Sequence, residues 1–166
     1  MILYHGGTDA VQKPDCKAGR SDLDFGQGFY VTLLLEQAEG FANRKARDRK
    51  AKPVISVYEF DYDAAIQECE YLKFEFYDEA WLEFVVASRN GQKPWAQYDV
   101  VEGGVANDRV IDTVELYTIG FLDKASALGK LSEHQPNHQI CILNQTILDK
   151  YLKFVKCKEE KLHFVI

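Results

Sequence analysis

No apolar stretch in this 166-residue chain approaches the roughly 20 residues that cross a bilayer. A membrane-spanning helix is therefore not expected. The opening Met1-Ile2-Leu3-Tyr4-His5 lacks the basic segment and longer apolar run of a secretory leader, so a cytoplasmic location away from membranes is expected. Cysteine is sparse and scattered: Cys16, Cys69, Cys141 and Cys157 form neither a C-x-x-C pair nor a Cys/His cluster at zinc spacing. They read as reduced thiols, and no metal site is expected. Positive charge is also short, with 20 Lys and Arg against 26 Asp and Glu for a net charge of −6. That balance argues against a general nucleic-acid coat, whose affinity comes mostly from cations on phosphates. Internal repeats, low-complexity tracts and Pro/Gly/Ser-rich linkers are missing too.

What is present is an ordinary globular balance of 46% hydrophobic and 28% charged residues. A chain of this length buries roughly two-thirds of its unfolded surface, enough for one core, so a single domain over residues 1–166 is expected. One segment runs against the overall acidity. Arg44, Lys45, Arg47, Arg49, Lys50 and Lys52 form a basic run interrupted among the charges only by Asp48. It reads as a solvated helix end whose cations suit the negative end of the macrodipole, with a phosphate-bearing partner as the alternative.

Residues 2–5 read as a short strand ending at Gly6-Gly7, followed by an irregular polar stretch over 8–24. Residues 25–32 read as a strand interrupted by glycine, and 34–50 as a helix with Leu34, Leu35, Ala38, Phe41, Ala42 and Ala46 on one stripe. The alternation over 54–60 predicts a strand, 71–76 a second extended piece, and Asp78 the cap of a helix stopping before Gly91. Residues 98–101 predict a strand leading into Gly103-Gly104. Helices are expected over 109–117, with Asp108 as the cap, and over 122–131. Beyond Pro136, residues 139–143 read as a buried strand, Asn144 as a helix cap, and 152–157 as a last strand. Strands and helices mix without regular β-α-β alternation, which predicts an α+β fold.

Three segments place a polar side chain beside a strand, two of them next to glycines: Leu3-Tyr4-His5-Gly6-Gly7, residues 24–32 (DFGQGFYVT), and Asn137-His138-Gln139-Ile140. Glycine lets a ligand approach the backbone because no Cβ intervenes. The first two segments resemble the His and Tyr motifs of the His-Tyr-Glu class of ADP-ribosyltransferases. More narrowly, the order L-Y-H-G-G, G-R, D-F-G-x-G-F-Y-x-T, Q-A, Y-D-V-V-x-G-x-V-A-x-D and H-Q-I resembles the bacterial domain of unknown function 3990, grouped in that superfamily.

The resemblance implies an ADP-ribosyltransferase-like split sheet with flanking helices, and NAD as substrate in a cleft containing His5 and Tyr30. It implies that His5 hydrogen-bonds a ribose of NAD, that Gly6 offers backbone groups to the nicotinamide amide, and that Tyr30 stacks on the nicotinamide ring. Arg20 is a candidate for the diphosphate, against the alternative of an exposed loop arginine. Asp24 and Gln27 are expected to hold the shape of the glycine-rich turn.

At the position that carries the family's glutamate, this chain has Gln139. An amide accepts a ribose hydrogen bond but brings no charge to an oxocarbenium-like transition state. Glu133 and Glu102 are the alternative carboxylates. The resemblance thus implies an enzyme that cleaves NAD and transfers ADP-ribose to an unidentified acceptor, with a catalytically silent NAD-binding or partner-recognition module as the alternative.

Overall fold

In the computed structural model, which describes residues 1–159, six helices and seven strands follow one another irregularly along the chain. The last residues of the expected single domain, 160–166, lie outside the described residues. The chain opens with β1 (Ile2–Gly7), crosses to β2 (Phe29–Thr32), and enters α1 (Leu35–Arg49). That helix ends where Lys50 turns left-handed at φ 52° and its N–H reaches back to Ala46 and Arg47 carbonyls. There follow β3 (Val54–Phe60), α2 (Tyr62–Glu68), β4 (Tyr71–Lys73), α3 (Glu79–Arg89), β5 (Val100–Gly104) and α4 (Asp108–Thr118). The order closes with α5 (Lys124–Leu131), β6 (His138–Ile142), α6 (Gln145–Tyr151) and β7 (Leu152–Glu159).

Five helices begin at a side-chain cap: Asp61, Asp78, Asn107, Asp123 and Asn144 each accept from a backbone N–H two or three residues on, an interaction worth about 1 kcal/mol apiece. The expected caps Asp78 and Asn144 are observed. For α4 the cap is Asn107, and Asp108 is the first helical residue. Two further differences concern elements. The short α2 was not foreseen, and residues 25–28 are a turn rather than part of a strand.

The strands form one mixed sheet in the order β4-β5-β6-β2-β1-β3-β7. Among the described residues only β4 and β5 pair in parallel, and the crossover this requires is supplied by α3. Cross-strand partners project from the same face, so the registers sort the side chains. On one face Leu3, Phe29, Val31, Tyr58, Phe60, Val100, Ile140 and Ile142 pack with Ile147, Leu148 and Tyr151 of α6 and Ala65 of α2. On the other, Val101 and Cys141 pack with Phe25, Trp81, Leu82, Val85, Val110, Val114, Ala127 and Leu131, drawn largely from α3, α4 and α5. Along β1 and β3 that second face is covered by α1, through Ala38 and Ala42 against Ile55 and Val57.

Helix α1 lies so close to β1 that a Cβ on Gly6 would come within 2.0 Å of the Ala38 carbonyl oxygen and 2.8 Å of the Ala42 nitrogen. Glycine is required there by contact, whatever its backbone angles. The close approach brings α1 down onto the strand that carries His5. Among the described residues, no helix is long and apolar enough to cross a membrane.

Candidate functional site

Strands β1 and β2 register through the single pair Tyr4↔Thr32, whereas β1 pairs with β3 along its whole length, from Ile2↔Glu59 to Gly7↔Val54. Beyond Tyr4 the two strands therefore part, and the His5 ring bridges the seam: its Nδ1 lies 2.7 Å from the main-chain oxygen of Tyr30. A carbonyl only accepts, so Nδ1 carries the proton, and in the neutral ring Nε2 is left with a lone pair. Burial, assisted by the positive charge of Lys45 and opposed by the bond to Tyr30, lowers the His5 pKa to about 4. At neutral pH the residue is an uncharged imidazole whose second nitrogen is an acceptor. Gly7 lies beside that nitrogen, and even a Cβ placed there would stand 3.6 Å from Nε2.

Phe29 and Tyr30 are consecutive strand residues and so leave opposite faces of the sheet. His5 goes with Phe29, their rings stacked at 4.6 Å with 26° between planes. Tyr30 goes the other way, packing against the cluster built on Phe25, Trp81 and Cys141. Its hydroxyl donates to the Gly26 carbonyl at 2.7 Å and accepts from the Phe25 N–H at 3.1 Å, and burial holds its pKa well above the usual phenol value. The expected single cleft lined by both rings is thus not what the structure contains. His5 and Tyr30 are on adjacent strands but on opposite faces, and the Tyr30 hydroxyl is occupied in closing the glycine-rich turn.

Gln139 opens onto the Tyr30 face, since Thr32↔Gln139 and Tyr30↔Cys141 are cross-strand pairs. It is buried, and its amide makes no hydrogen bond with the described residues. Next to it, Thr32 Oγ1 donates to Gln37 Oε1 at 3.1 Å, which leaves Gln37 Nε2 buried without a partner. Gln37 lines a groove of about 200 Å³ between α1 and residues 105–108, with Phe41 and Arg44 on the helix side and Asn137 near β6. The larger hollow, about 470 Å³, lies between residues 76–79 and the end of α5 and holds none of the expected site residues.

Gly6 keeps its place beside His5, but its carbonyl already accepts from Lys45 Nζ at 3.1 Å. Arg20 is an exposed loop residue that faces Asp22 at 3.8 Å. Gln27 does hold the loop, donating to the carbonyls of Lys17 at 3.1 Å and Gly19 at 2.8 Å. Asp24 instead ties the turn to α3 through Arg89 Nε at 2.6 Å.

Of the two alternative carboxylates, Glu133 is exposed beyond the end of α5. Glu102 is buried, bonded by the Tyr71 hydroxyl and by His138 Nδ1 at 3.1 Å, with Lys73 Nζ at 3.7 Å. It shares the His5 face, being paired with Ile140, but three inter-strand steps separate β5 from β1, about 14 Å. Tyr71 and His138 were not singled out from sequence as site residues, and Lys45 only as one cation of the basic run. For Lys45 a signal existed, since it follows Ala42 by three residues and so borders the buried stripe of α1. Among the described residues no group of three or more His, Cys, Asp or Glu is placed to hold a metal ion.

No curated protein matches the chain, and no solved structure does. A family model described as a protein of unknown function (DUF3990) matches residues 1–154 of the 166, and the chain belongs to that family.

Proposed function

We propose that this chain binds NAD at the open end of β1 and acts as an ADP-ribosyltransferase-like enzyme, cleaving NAD and passing ADP-ribose to an acceptor. The observation that carries the reading is His5. Its ring is oriented by the Tyr30 carbonyl and kept neutral, and its Nε2 acceptor lies beside Gly7 where the sheet parts. A ribose hydroxyl is a donor suited to that nitrogen. The resemblance of the His5 and Tyr30 motifs to the His-Tyr-Glu class supplies the ligand. In the transfer, the nicotinamide nitrogen leaves with the bonding pair, the acceptor nucleophile bonds to the same ribose carbon, and the acceptor's proton passes to solvent. Tyr30 enters this reading as the residue that shapes the turn, not as a stacking platform.

The reading is tested by titrating NAD calorimetrically into the parent and His5→Ala. Binding by the parent and a loss of about tenfold in the variant are expected, the scale of one hydrogen bond to a ligand hydroxyl. No binding by the parent rejects the proposal.

A second reading, in which NAD is bound and not turned over, is favoured by the carboxylates. Glu102 is held by Tyr71, His138 and Lys73, and Gln139 brings only an amide, on the sheet face opposite His5. An assay of nicotinamide release decides between the two, with labelled NAD and a cell lysate then reporting transfer rather than hydrolysis.

A further inference from the structure

The cations of the basic run on α1 do not share one environment. Arg44 lies over the Phe41 ring, 5.5 Å from its centre, and Lys52 faces Glu159 at 3.4 Å. Lys45 instead turns inward, half-buried, with Nζ donating to the Gly6 carbonyl at 3.1 Å. Arg49 follows one helical turn later on the same side, and its Nη1 reaches Thr8 Oγ1 at 3.4 Å. Neither cation makes an ion pair with a carboxylate among the described residues. Asp9, next to Thr8, accepts from Thr8 Oγ1 at 3.0 Å, and Asp48, which adjoins Arg49 in sequence, forms no ion pair with either cation among the described residues.

A half-buried ammonium beside a guanidinium, neither ion-paired to a carboxylate among the described residues, is electrostatically unfavourable. Burial and the charge of Arg49 both push the Lys45 pKa down. What would relieve the arrangement is an anion supplied from outside. The two cations reach Gly6 and Thr8 from the α1 side of the sheet, His5 Nε2 lies near Gly7 on the opposite side, and the two features meet at the end of β1. One ligand carrying a phosphate group next to a ribose would meet both features.

We infer that Lys45 and Arg49 form an anion site at the end of β1 that takes the diphosphate of a nucleotide whose ribose reaches His5. The identity of that nucleotide as NAD rests on the proposed function, while the anion site stands on two cations that make no ion pair among the described residues. The site assigns the diphosphate to α1, in place of the exposed Arg20.

The test is calorimetry of the full chain with two probes, inorganic pyrophosphate and NAD, at low and high salt. The variants are Lys45→Gln, Arg49→Gln, Lys45→Arg and, as a control, Lys52→Gln. Pyrophosphate should bind the parent and weaken as salt screens the charges. Each glutamine variant should lose about tenfold or more toward both probes, the scale of one charge-assisted hydrogen bond. Lys45→Arg should keep most of the affinity, and Lys52→Gln all of it. Arg49 is exposed, so its variant carries the test if Lys45→Gln fails to fold. Absence of pyrophosphate binding, or binding that neither glutamine variant weakens, overturns the inference. If NAD binds with no dependence on Lys45 or Arg49, the anion site falls and the NAD reading survives. If pyrophosphate binds through both residues and NAD does not bind at all, the outcome is reversed.

Discussion

The imidazole of His5 donates through Nδ1 to the main-chain carbonyl of Tyr30, 2.7 Å across the seam where β1 and β2 separate. That one bond fixes the tautomer, presents Nε2 as an acceptor, and joins two strands that share only one ladder pair.

It also sets a pH dependence. In the unfolded chain His5 titrates near its ordinary value of 6.5, and in the fold near about 4. Between these values the unfolded state holds more protons, so stability falls as pH drops from 6.5 toward 4. The contribution is fully present above 6.5. Urea unfolding at pH 7 and pH 4.5 should show a larger loss of stability in the parent than in His5→Gln. Equal losses in the two proteins would mean that His5 is not held neutral by the fold.

The approach of α1 to β1 makes two glycine substitutions diverge. Gly6→Ala drives a methyl into the Ala38 carbonyl, and overpacking of this kind costs roughly 1–3 kcal/mol or more. In α5, a Cβ on Gly129 meets nothing within 4 Å, so Gly129→Ala should stabilise by roughly 0.5–1 kcal/mol through helix propensity. Thermal melts of both variants check the pair. A Gly6→Ala protein as stable as the parent would show that α1 can move away from the strand.

Removing the Tyr30 hydroxyl leaves the Phe25 N–H and Gly26 carbonyl without their partner. Tyr30→Phe should therefore lose roughly 1–3 kcal/mol of stability while changing NAD affinity little. Denaturant midpoints and NAD titration on the same variant separate the two effects. A large loss of affinity at unchanged stability would return Tyr30 to the ligand.

The helix capped by Asp78 and the alternating strand over 54–60 were legible because caps and period-2 patterns are local signals. The extent of β2 was not. Tyr30's own hydroxyl takes the backbone groups of residues 25 and 26, which a continuing strand would have paired. Helix α2 was missed because it is seven residues long and buries only Ala65, too little for a periodic stripe. His5, Tyr30 and Gln139 could be picked out as motif residues, but the faces they occupy depend on the pairings Tyr4↔Thr32 and Thr32↔Gln139. A shift of one residue would reverse them, and such non-local register is not written in any one segment. Glu102 met its partners for the same reason: Tyr71 and His138 arrive on the two strands flanking β5.

The choice between turnover and silent binding rests on Gln139. Gln139 is on the sheet face opposite His5, so a carboxylate there stabilises the positive charge that builds on the ribose as nicotinamide leaves provided that NAD held at His5 extends to that face, and the native amide cannot do so. Gln139→Glu should then raise nicotinamide release, by tenfold for each ~1.4 kcal/mol of transition-state stabilisation, with NAD affinity changed much less. The site is buried, and burial disfavours the ionised form, so the gain should grow as pH rises and the new carboxyl ionises. Gln139→Ala should remove whatever release the parent shows. Glu102→Gln should lower stability, because His138 and Lys73 lose a charged partner, and should leave the release rate of the folded protein unchanged. If instead Glu102→Gln abolishes release while Gln139→Glu does not alter it, the carboxylate held by Tyr71 and His138 is the catalytic one, and Gln139 is a packing residue between Thr32 and Gly103.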